Sequence, residues 1–346
     1  MVVYFALLLV PILLSLQPPR VRSNTQGVAA FCILLTVFIG LRHEIGPDWR
    51  GYLYILEESQ RKDWSAFWDE REPLFFLLNK VSDALGWGLY GINTVCAAIF
   101  MYGVYRYARI TANPWLAVAA VTPFLVFIIA MSGVRQAAAV GILMVLASTW
   151  AATPMWKKFL LILLAMGFHN SSLFMLIFVV WDTGRYQWLR VVVGGVVGII
   201  ALRWLGDSGA TEIYGKRYFE ENVKSGGALY HVLLCAIPGA IYLMFRRQIT
   251  AHGLANELVM RASVLSIALL PMVVVSSTGA SRVSLYLSFV QMWVFPAFVA
   301  AHGRRWAGAS VVCCAYFVAV FVVYFSMGTH MTAYTPYRSI LWMAEG

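Results

Sequence analysis

The strongest constraint on this 346-residue sequence is a series of long apolar runs. Most runs approach the roughly 20 residues that a helix needs to cross a bilayer, and they lack the strict alternation of outer-membrane barrel strands. Only 12% of the residues are charged, about half the share found in soluble domains, so the chain cannot cover itself with a polar surface. We therefore predict an all-α polytopic membrane protein, with one transmembrane helical domain over residues 1–346.

About ten of the runs are predicted to be full transmembrane helices. They cover residues 2–17, 25–41, 88–105, 115–134, 136–152, 191–205, 228–245, 257–277, 283–301 and 307–326. The stretch 73–86 is apolar but too short to cross, which predicts an interfacial or re-entrant helix there. The stretch 159–181 could cross once, but His169-Asn170-Ser171-Ser172 interrupts its middle.

Short basic clusters between the runs set the predicted orientation, because cytoplasmic loops carry an excess of Lys and Arg. The six clusters are Arg20/Arg22, Arg106/Arg109, Lys157/Lys158, Arg185/Arg190, Arg246/Arg247 and Arg304/Arg305. A single crossing by 159–181 would place three clusters on the wrong side. A broken hairpin of two half-helices places all six in the cytoplasm, so we predict that hairpin, with His169 at its apex facing a polar cavity.

This orientation places both chain ends and two polar segments, 42–87 and 206–227, at the outer face. Twelve of the sixteen acidic residues fall within 42–72 and 206–227. We therefore expect any chemistry at the outer face. The predicted location is the bacterial cytoplasmic (inner) membrane, with the active site on its periplasmic side.

The densest polar group is the loop that follows the second run. It carries Arg42, Glu44 and Asp48 around a turn at Gly46-Pro47. These charges could simply mark the membrane surface, or they could combine an anion-binding arginine with a carboxylate that transfers a proton. We predict the second role, with Asp48 and Glu44 as the leading bases.

Two further groups could carry the proton transfer. Glu72 precedes Pro73, where it could equally cap a helix. His169 could be an ordinary core histidine, but its place at a predicted helix break makes it an alternative base.

Nearly solitary arginines at the outer ends of apolar runs are the candidate anion-binding groups. Arg135, followed by Gln136, is the only ionisable residue between Arg109 and Lys157, and Arg282 lies at the mouth of a later run. A charge near membrane depth is costly, so an anionic partner is expected. Basic and aromatic residues together suit a sugar-binding surface, although they could also be interfacial anchors. The candidates of this kind are Tyr214, Arg217, Tyr337 and Arg338.

Motifs for metals and nucleic acids are missing from the sequence. No Asp-x-Asp string occurs, and the five cysteines lie in apolar segments without metal-ligand spacing. The basic residues sit in membrane-orienting loops rather than in a nucleic-acid-binding patch. We expect no cofactor, a metal-independent reaction and no nucleic-acid partner.

The order of these motifs resembles the EpsG family, which groups with Wzy-type polysaccharide polymerases and other membrane glycosyltransferases of the GT-C-like kind. The resemblance is carried by Gly40–Trp49 (pattern G-x-R-x-x-x-G-x-D), Glu72-Pro73-Leu74-Phe75, Arg135-Gln136-Ala137, Phe168–Ser172, Arg282 and Pro336-Tyr337-Arg338. Pro47 and Ser172 depart from the expected pattern, but neither replaces an ionisable group.

The resemblance implies an enzyme that acts on polyprenyl-diphosphate-linked oligosaccharide, such as undecaprenyl-linked repeats, at the outer face. It would join repeat units of O-antigen, capsule or exopolysaccharide in cell-envelope biosynthesis. The implied partners are a lipid-linked donor and acceptor, membrane lipid and a chain-length regulator. Two alternatives stay open: a transporter or flippase of lipid-linked sugar, and a membrane-bound O-acyltransferase that uses His169 as base.

Overall fold

The computed structural model describes residues 1–182, 188, 191–192, 195–196, 227–302, 308–328 and 331–342. Throughout these residues the regular structure is helical, apart from one isolated antiparallel bridge between Arg42 and Ser339. Four helices are long and apolar enough to cross a membrane: Gly88–Ala108, Pro114–Ser132, Glu257–Val275 and Ala309–Ser326. Ser277–Tyr286 and Phe289–His302 form one further candidate span, bent by 56°.

Shorter apolar helices account for most of the other predicted spans. They are Val2–Ser15, Thr25–Gly40, Val134–Ser148, Asn170–Trp181 and Ala228–Met244. The fold is that of a multi-pass helical membrane protein, and the total of about ten full crossings stays a prediction. Most of the predicted span 191–205 and most of the segment 206–227 lie outside the described residues.

The centre of the bundle is formed by closely packed helices with small residues at their contact. A Cβ atom at Gly103 would collide with the backbone of Gly141, and one at Gly141 would collide with the backbone of Phe100. These glycines let the Gly88–Ala108 and Val134–Ser148 helices approach backbone to backbone, as membrane helices commonly do. The start of the Val134–Ser148 helix, which carries Arg135, is thereby fixed against the core.

The stretch 159–181 is a broken hairpin, as predicted. The helix Met155–Phe168 ends where His169 adopts an extended conformation, and the chain returns through a 3₁₀ turn and the helix Leu176–Trp181. Lys158 Nζ lies 2.8 Å from Asp182 Oδ2, so the two ends of the stretch meet. His169 is therefore the apex, and the side of the membrane on which the ends lie stays a prediction.

Two short helices cover one end of the bundle. Trp49–Arg61 buries Tyr52 and Leu56 while exposing most of its polar side chains, and Pro73–Ala84 follows Glu72. The second helix has 12 residues and spans about 18 Å, less than the roughly 30 Å of a hydrocarbon core. A short helix therefore occupies the predicted 73–86 stretch, and its interfacial position stays a prediction.

The C-terminal segment 331–342 is tied to the loop that follows the second run. Gly46 N donates to Ala333 O at 2.8 Å, and His43 N donates to Arg338 O at 3.0 Å. Gly46 has a φ of +96°, and a Cβ there would collide with Met131 O, so glycine is required at this turn. The turn is therefore hydrogen-bonded to the C-terminal segment and packs against the end of the Pro114–Ser132 helix.

Candidate active site

Three distant segments of the chain meet at the carboxylate of Glu72. Arg135 Nη1 donates to Glu72 Oε2 at 2.5 Å, and His169 Nδ1 lies 2.6 Å from Glu72 Oε1. The backbone N–H of Asn170 also points at Oε1, at 3.4 Å. Only 10% of the Glu72 side chain and 11% of the His169 side chain are exposed. We call Glu72, Arg135 and His169 the Glu72 cluster.

The local sequence explains why these groups can meet. Pro73 occupies the first turn of its helix, which leaves Glu72 at the N-cap position of that helix. Arg135 lies in the first turn of the Val134–Ser148 helix, and His169 lies at the break of the hairpin. A polar side chain at a helix end or break can reach a neighbouring element without disturbing an apolar helix face.

Opposing effects set the ionisation of Glu72. Burial raises its pKa, but the charges of His169 and Arg135 and their hydrogen bonds outweigh burial and lower the pKa to about 2. A carboxylate this acidic is a poor proton acceptor at neutral pH. The geometry therefore favours Glu72 as the group that holds the other two members in place.

His169 is oriented by this carboxylate. A carboxylate can only accept, so Nδ1 carries a proton and donates to Glu72, and whenever the ring is neutral its lone pair lies on Nε2. No hydrogen-bond partner of Nε2 occurs among the residues that the structure describes. In its neutral form, His169 can therefore accept a proton at Nε2, and its role as a base stays a prediction.

Arg135 is held by aromatic rings as well as by Glu72. Its guanidinium carbon lies 5.6 Å from the centroid of Tyr52 and 5.4 Å from that of Phe75, within cation–π range. One third of the Arg135 side chain, 33%, is exposed. The guanidinium is therefore fixed in direction, in a side chain that is only partly exposed.

Asp48 lies near the Glu72 cluster but is bound differently. Ser132 Oγ donates to Asp48 Oδ2 at 2.6 Å, and the Asp48 side chain is exposed. Tyr52 lies one helical turn after Asp48 and contacts Arg135. Asp48 therefore borders the same surface as the cluster, and its predicted role as base stays a prediction.

Glu44 forms an exposed pair with another predicted site residue. Arg338 Nη1 donates to Glu44 Oε2 at 3.2 Å, with about half of each side chain in solvent, 50% and 55%. Glu44 has a φ of 52°, in the left-handed region. Tyr337, next to Arg338, donates its hydroxyl to Phe38 O at 2.7 Å and stacks on the Phe38 ring.

Arg42 is enclosed by the loop to which it belongs. Its guanidinium donates to Ile39 O at 2.6 Å, to Ile45 O at 3.3 Å and to Asn93 Oδ1 at 3.2 Å. Only 1% of the residue is exposed, and burial lowers its pKa to about 10, so it remains charged at neutral pH. The predicted phosphate contact of Arg42 is untested, and this burial disfavours it.

Gln136 and Arg282 are linked to the hairpin apex through Tyr286. The Tyr286 hydroxyl lies 2.9 Å from Ser171 Oγ, and Gln136 is near enough to Tyr286 to interact with it electrostatically. Arg282 lies one turn earlier on the same Ser277–Tyr286 helix, close enough to interact electrostatically with Tyr286. These contacts place Arg282 on the side of the bundle that carries His169.

The family model of the EpsG family matches residues 28–339, which includes all of the residues above. The chain belongs to the EpsG family. This family is associated with membrane proteins of the polysaccharide-polymerase type. Searches of curated proteins and of solved structures found no match to the chain.

Two predicted binding residues of this EpsG chain, Tyr214 and Arg217, lie outside the described residues. Within the described part of the chain, no group of three or more His, Cys, Asp or Glu residues has a metal-binding arrangement.

Several neighbours of the EpsG site were not anticipated from the sequence. Tyr52, Phe75 and Ser132 hold predicted residues, yet they resemble the many other aromatic and small residues of the chain. His231 lies 2.5 Å from Ser281 Oγ, beside Arg282, and contacts the Phe124 ring. His231 is a lone histidine at the start of an apolar run, and that position could have marked it as a candidate site residue.

Proposed function

We propose that this EpsG family member is a membrane glycosyltransferase that polymerises polyprenyl-diphosphate-linked oligosaccharide at the outer face of the bacterial cytoplasmic membrane. It joins repeat units of a surface polysaccharide such as O-antigen, capsule or exopolysaccharide. The single observation that carries this proposal is the Glu72 cluster, in which a proton acceptor and an exposed cation share one carboxylate. Glycosyl transfer from a diphosphate needs both of these groups.

The proposed step is attack by an acceptor sugar hydroxyl on the anomeric carbon of the donor. As the new C–O bond forms, the hydroxyl proton passes to His169 Nε2, and Glu72 stabilises the resulting imidazolium. The bond between the anomeric carbon and the diphosphate oxygen breaks, and the electron pair leaves with the polyprenyl diphosphate. Positioned proton acceptors of this kind contribute about 10²–10⁴-fold to rate.

The leaving diphosphate needs charge neutralisation more than it needs a proton donor. Arg135, whose side chain is partly exposed, is the first proposed cation, and Arg282 is a second cation on the same side of the bundle. Planar guanidinium groups bind phosphate oxygens in pairs, which suits this role. Gln136, which lies beside Arg135, is a proposed hydrogen-bonding neighbour of the diphosphate.

The remaining predicted residues are proposed to have supporting roles around His169 and Arg135. His169 ranks above Asp48 and Glu44 as base, because it alone is held by a buried carboxylate. Asp48 is the alternative base at the border of the site. Arg338 and Tyr337 are proposed sugar contacts at the rim, together with Tyr214 and Arg217, and Arg42 is proposed to position the loop.

The test uses purified protein in detergent with a synthetic lipid-diphosphate-linked repeat as both donor and acceptor. The proposal predicts chains of two or more repeats, with polyprenyl diphosphate released for each bond formed. A flippase would make no polymer in micelles, where no leaflet needs to be crossed. An O-acyltransferase would modify the repeat only when an acyl donor is added. Either outcome would replace the proposal.

A further inference from the structure

The helix that carries Arg282 is short and ends at a sharp bend. Ser277–Tyr286 has 10 residues and spans about 15 Å, roughly half the thickness of a hydrocarbon core. It meets Phe289–His302 at an angle of 56°, and in the bend the backbone bond from Leu287 N reaches back only three residues, to Ser284 O. We call Ser277–Tyr286 the half-helix. Because a bend does not by itself fix the direction of a short helix, contacts with other elements must hold the half-helix.

Side-chain hydrogen bonds tie the half-helix to its neighbours in its middle and at its C-terminal end. Ser281 Oγ lies 2.5 Å from His231 Nδ1 of a neighbouring helix. The Tyr286 hydroxyl lies 2.9 Å from Ser171 Oγ. This second bond reaches the hairpin apex, which we define as residues 169–172. Tyr286 is only 2% exposed, so the bond is shielded from water.

The hairpin apex is attached to other elements by few hydrogen bonds. Within the described part of the chain, its side chains and N–H groups bond other elements at Glu72 and at Tyr286. The Asn170 Oδ1 and Ser172 Oγ atoms are buried there without a hydrogen-bond partner among the described residues. The bond to Tyr286 therefore complements the bond between Glu72 and His169 in holding the apex.

Tyr286 connects the segments that carry two proposed functional groups. Ser171 follows His169 by two residues. Tyr286 follows Arg282 by four residues, which is about 6 Å along a helix axis. Tyr286 is also near enough to Glu72 and to Arg282 to interact with both electrostatically. The Tyr286–Ser171 bond therefore joins the segment of the proposed base to the half-helix of the second proposed cation.

A buried tyrosine needs a partner for its hydroxyl, and that need alone assigns no role. Tyr242 shows the ordinary case, since it is 1% exposed and its hydroxyl accepts from Asn256 N at 3.0 Å. This bond joins the Ala228–Met244 helix to the start of the Glu257–Val275 helix, and no proposed site residue adjoins either end of it. Tyr286 differs because both of the segments that it joins carry proposed site residues.

We propose that Tyr286 is a positioning residue, which fixes the separation between His169 and Arg282 by holding the half-helix against the hairpin apex. The inference rests on the proposed glycosyl transfer, in which His169 acts on the attacking hydroxyl and Arg282 acts on the leaving diphosphate. These two groups serve one reaction only while their separation matches the bound donor and acceptor. A displacement of about 1 Å can cost about 10²-fold in rate.

The first experiment compares Tyr286→Phe with the unmodified protein in the chain-elongation assay, with rates expressed per folded molecule. The substitution keeps the ring and removes the hydroxyl. We expect kcat to fall by about tenfold or more, while KM for the lipid-linked repeat changes by less than about threefold, because every charged group remains. A residue that only supports the fold would lower the amount of folded protein and leave the turnover of each folded molecule unchanged.

Ser171→Ala removes the other half of the same bond. It should cause a similar loss, and the double variant should lose no more than either single variant, since only one bond is broken. Tyr242→Phe is the matched control, because it removes a similarly buried hydroxyl that joins helices away from the apex. Its kcat should stay within about twofold of the unmodified value.

Amide hydrogen exchange tests the bond without any substrate. In Tyr286→Phe, exchange within 169–175 and 277–286 should accelerate by about threefold or more, and in Tyr242→Phe it should not. If the unmodified protein elongates no chains, the proposed function has failed. The exchange rates would then still decide whether Tyr286 holds the two segments together.

Other outcomes would overturn the inference. Unchanged kcat in a folded Tyr286→Phe protein would do so, as would an equal loss in Tyr242→Phe. Additive losses in the double variant would assign separate roles to the two hydroxyl groups and contradict the shared bond. If Tyr286→Phe does not fold, Ser171→Ala decides, because Ser171 is only half-buried and its substitution leaves the aromatic ring in place.

Discussion

The Glu72 cluster resembles a second ionic group at the other end of the hairpin, formed by Lys158, Asp182 and Arg261, which we call the Asp182 cluster. In both groups one carboxylate lies between two basic side chains, but those side chains differ. Lys158 and Arg261 are both buried. The Glu72 cluster combines the imidazole of His169 with Arg135, which is one-third exposed. We infer that the same ionic pattern closes one end of the hairpin and, at the other end, holds the proposed base.

Replacing the carboxylate of the reactive cluster should give the largest effect. Glu72→Gln removes the charge that orients His169 and neutralises Arg135, so polymer formation should fall by about 10²-fold or more. Stability should fall by about 2 kcal/mol, less than for a fully buried pair because Arg135 is partly exposed. A chain-elongation assay and thermal unfolding measure the two losses.

The control for this variant is Glu70→Gln, two residues away. Glu70 pairs with Lys62 at the surface of the same segment. The Glu70→Gln protein should retain more than half of the polymer-forming activity. If the two variants lose similar amounts of activity, the substitutions disturb the chain segment around Glu70 and Glu72 rather than the Glu72 cluster.

Replacing the carboxylate at the other end should affect stability instead of chemistry. Asp182→Asn leaves two buried cations without their shared partner, and breaking a buried pair costs about 3–5 kcal/mol. The folded fraction should keep its turnover within about threefold. A loss of turnover as large as that of Glu72→Gln, at equal amounts of folded protein, would contradict the contrast between the two clusters.

Acid should weaken both clusters. Burial raises the pKa of Asp182, but its hydrogen bonds to Lys158 and Arg261 outweigh burial and lower that pKa, as happens at Glu72. A carboxylate with a lowered pKa stabilises the fold above its ordinary value and loses this contribution as the pH falls through its folded value. For Glu72 the loss should run from about pH 4.5 down to about pH 2.

The melting temperature should therefore fall as the pH is lowered through this window. In Glu72→Gln the fall should be smaller, because one of the two titrating groups is gone. A melting temperature that is as acid-sensitive in Glu72→Gln as in the unmodified protein would show that Glu72 carries no such contribution.

The exposed pair at the rim should give the smallest effect. Glu44 and Arg338 are half in solvent, and pairs of this kind contribute about 0–1 kcal/mol. Glu44→Gln should lower the melting temperature by less than about 2 °C, as differential scanning fluorimetry can measure. If Arg338 also contacts sugar, Arg338→Gln should raise the apparent KM for the lipid-linked repeat, while kcat stays within about twofold.

The sequence allowed the members of the site to be predicted, but their arrangement only in part. The hairpin followed from the basic clusters that flank it in the sequence, because only a return of the chain places Lys157/Lys158 and Arg185/Arg190 on one side of the membrane. Glu72, Arg135 and His169 were each predicted as site residues, but for separate reasons. Glu72 precedes Pro73, Arg135 is a solitary charge near membrane depth that needs a partner, and His169 interrupts an apolar run. Their convergence was not predicted, because an apolar run determines a helix but not the rotation of that helix about its axis.

Arg42 is a residue whose predicted role the sequence suggested but whose side-chain direction the sequence could not give. It has the residue type and position of an anion-binding group, yet its side chain turns back into the loop and binds Ile39 and Ile45 carbonyl oxygens. Side-chain direction at a turn depends on contacts with segments that are distant in sequence. Here those contacts come from Asn93 and from the bridge to Ser339.

The most direct test compares single-turnover rates of His169→Gln and Asp48→Asn in purified, folded protein with the lipid-linked repeat. The account predicts a loss of at least 10²-fold for His169→Gln and less than about tenfold for Asp48→Asn. His252→Gln is the control, since His252 is exposed and its ring hydrogen-bonds only Gln248 O in the described part of the chain. A His169→Gln protein that turns over at the unmodified rate, beside an inactive Asp48→Asn protein, would contradict the account and place the base in the 42–49 loop.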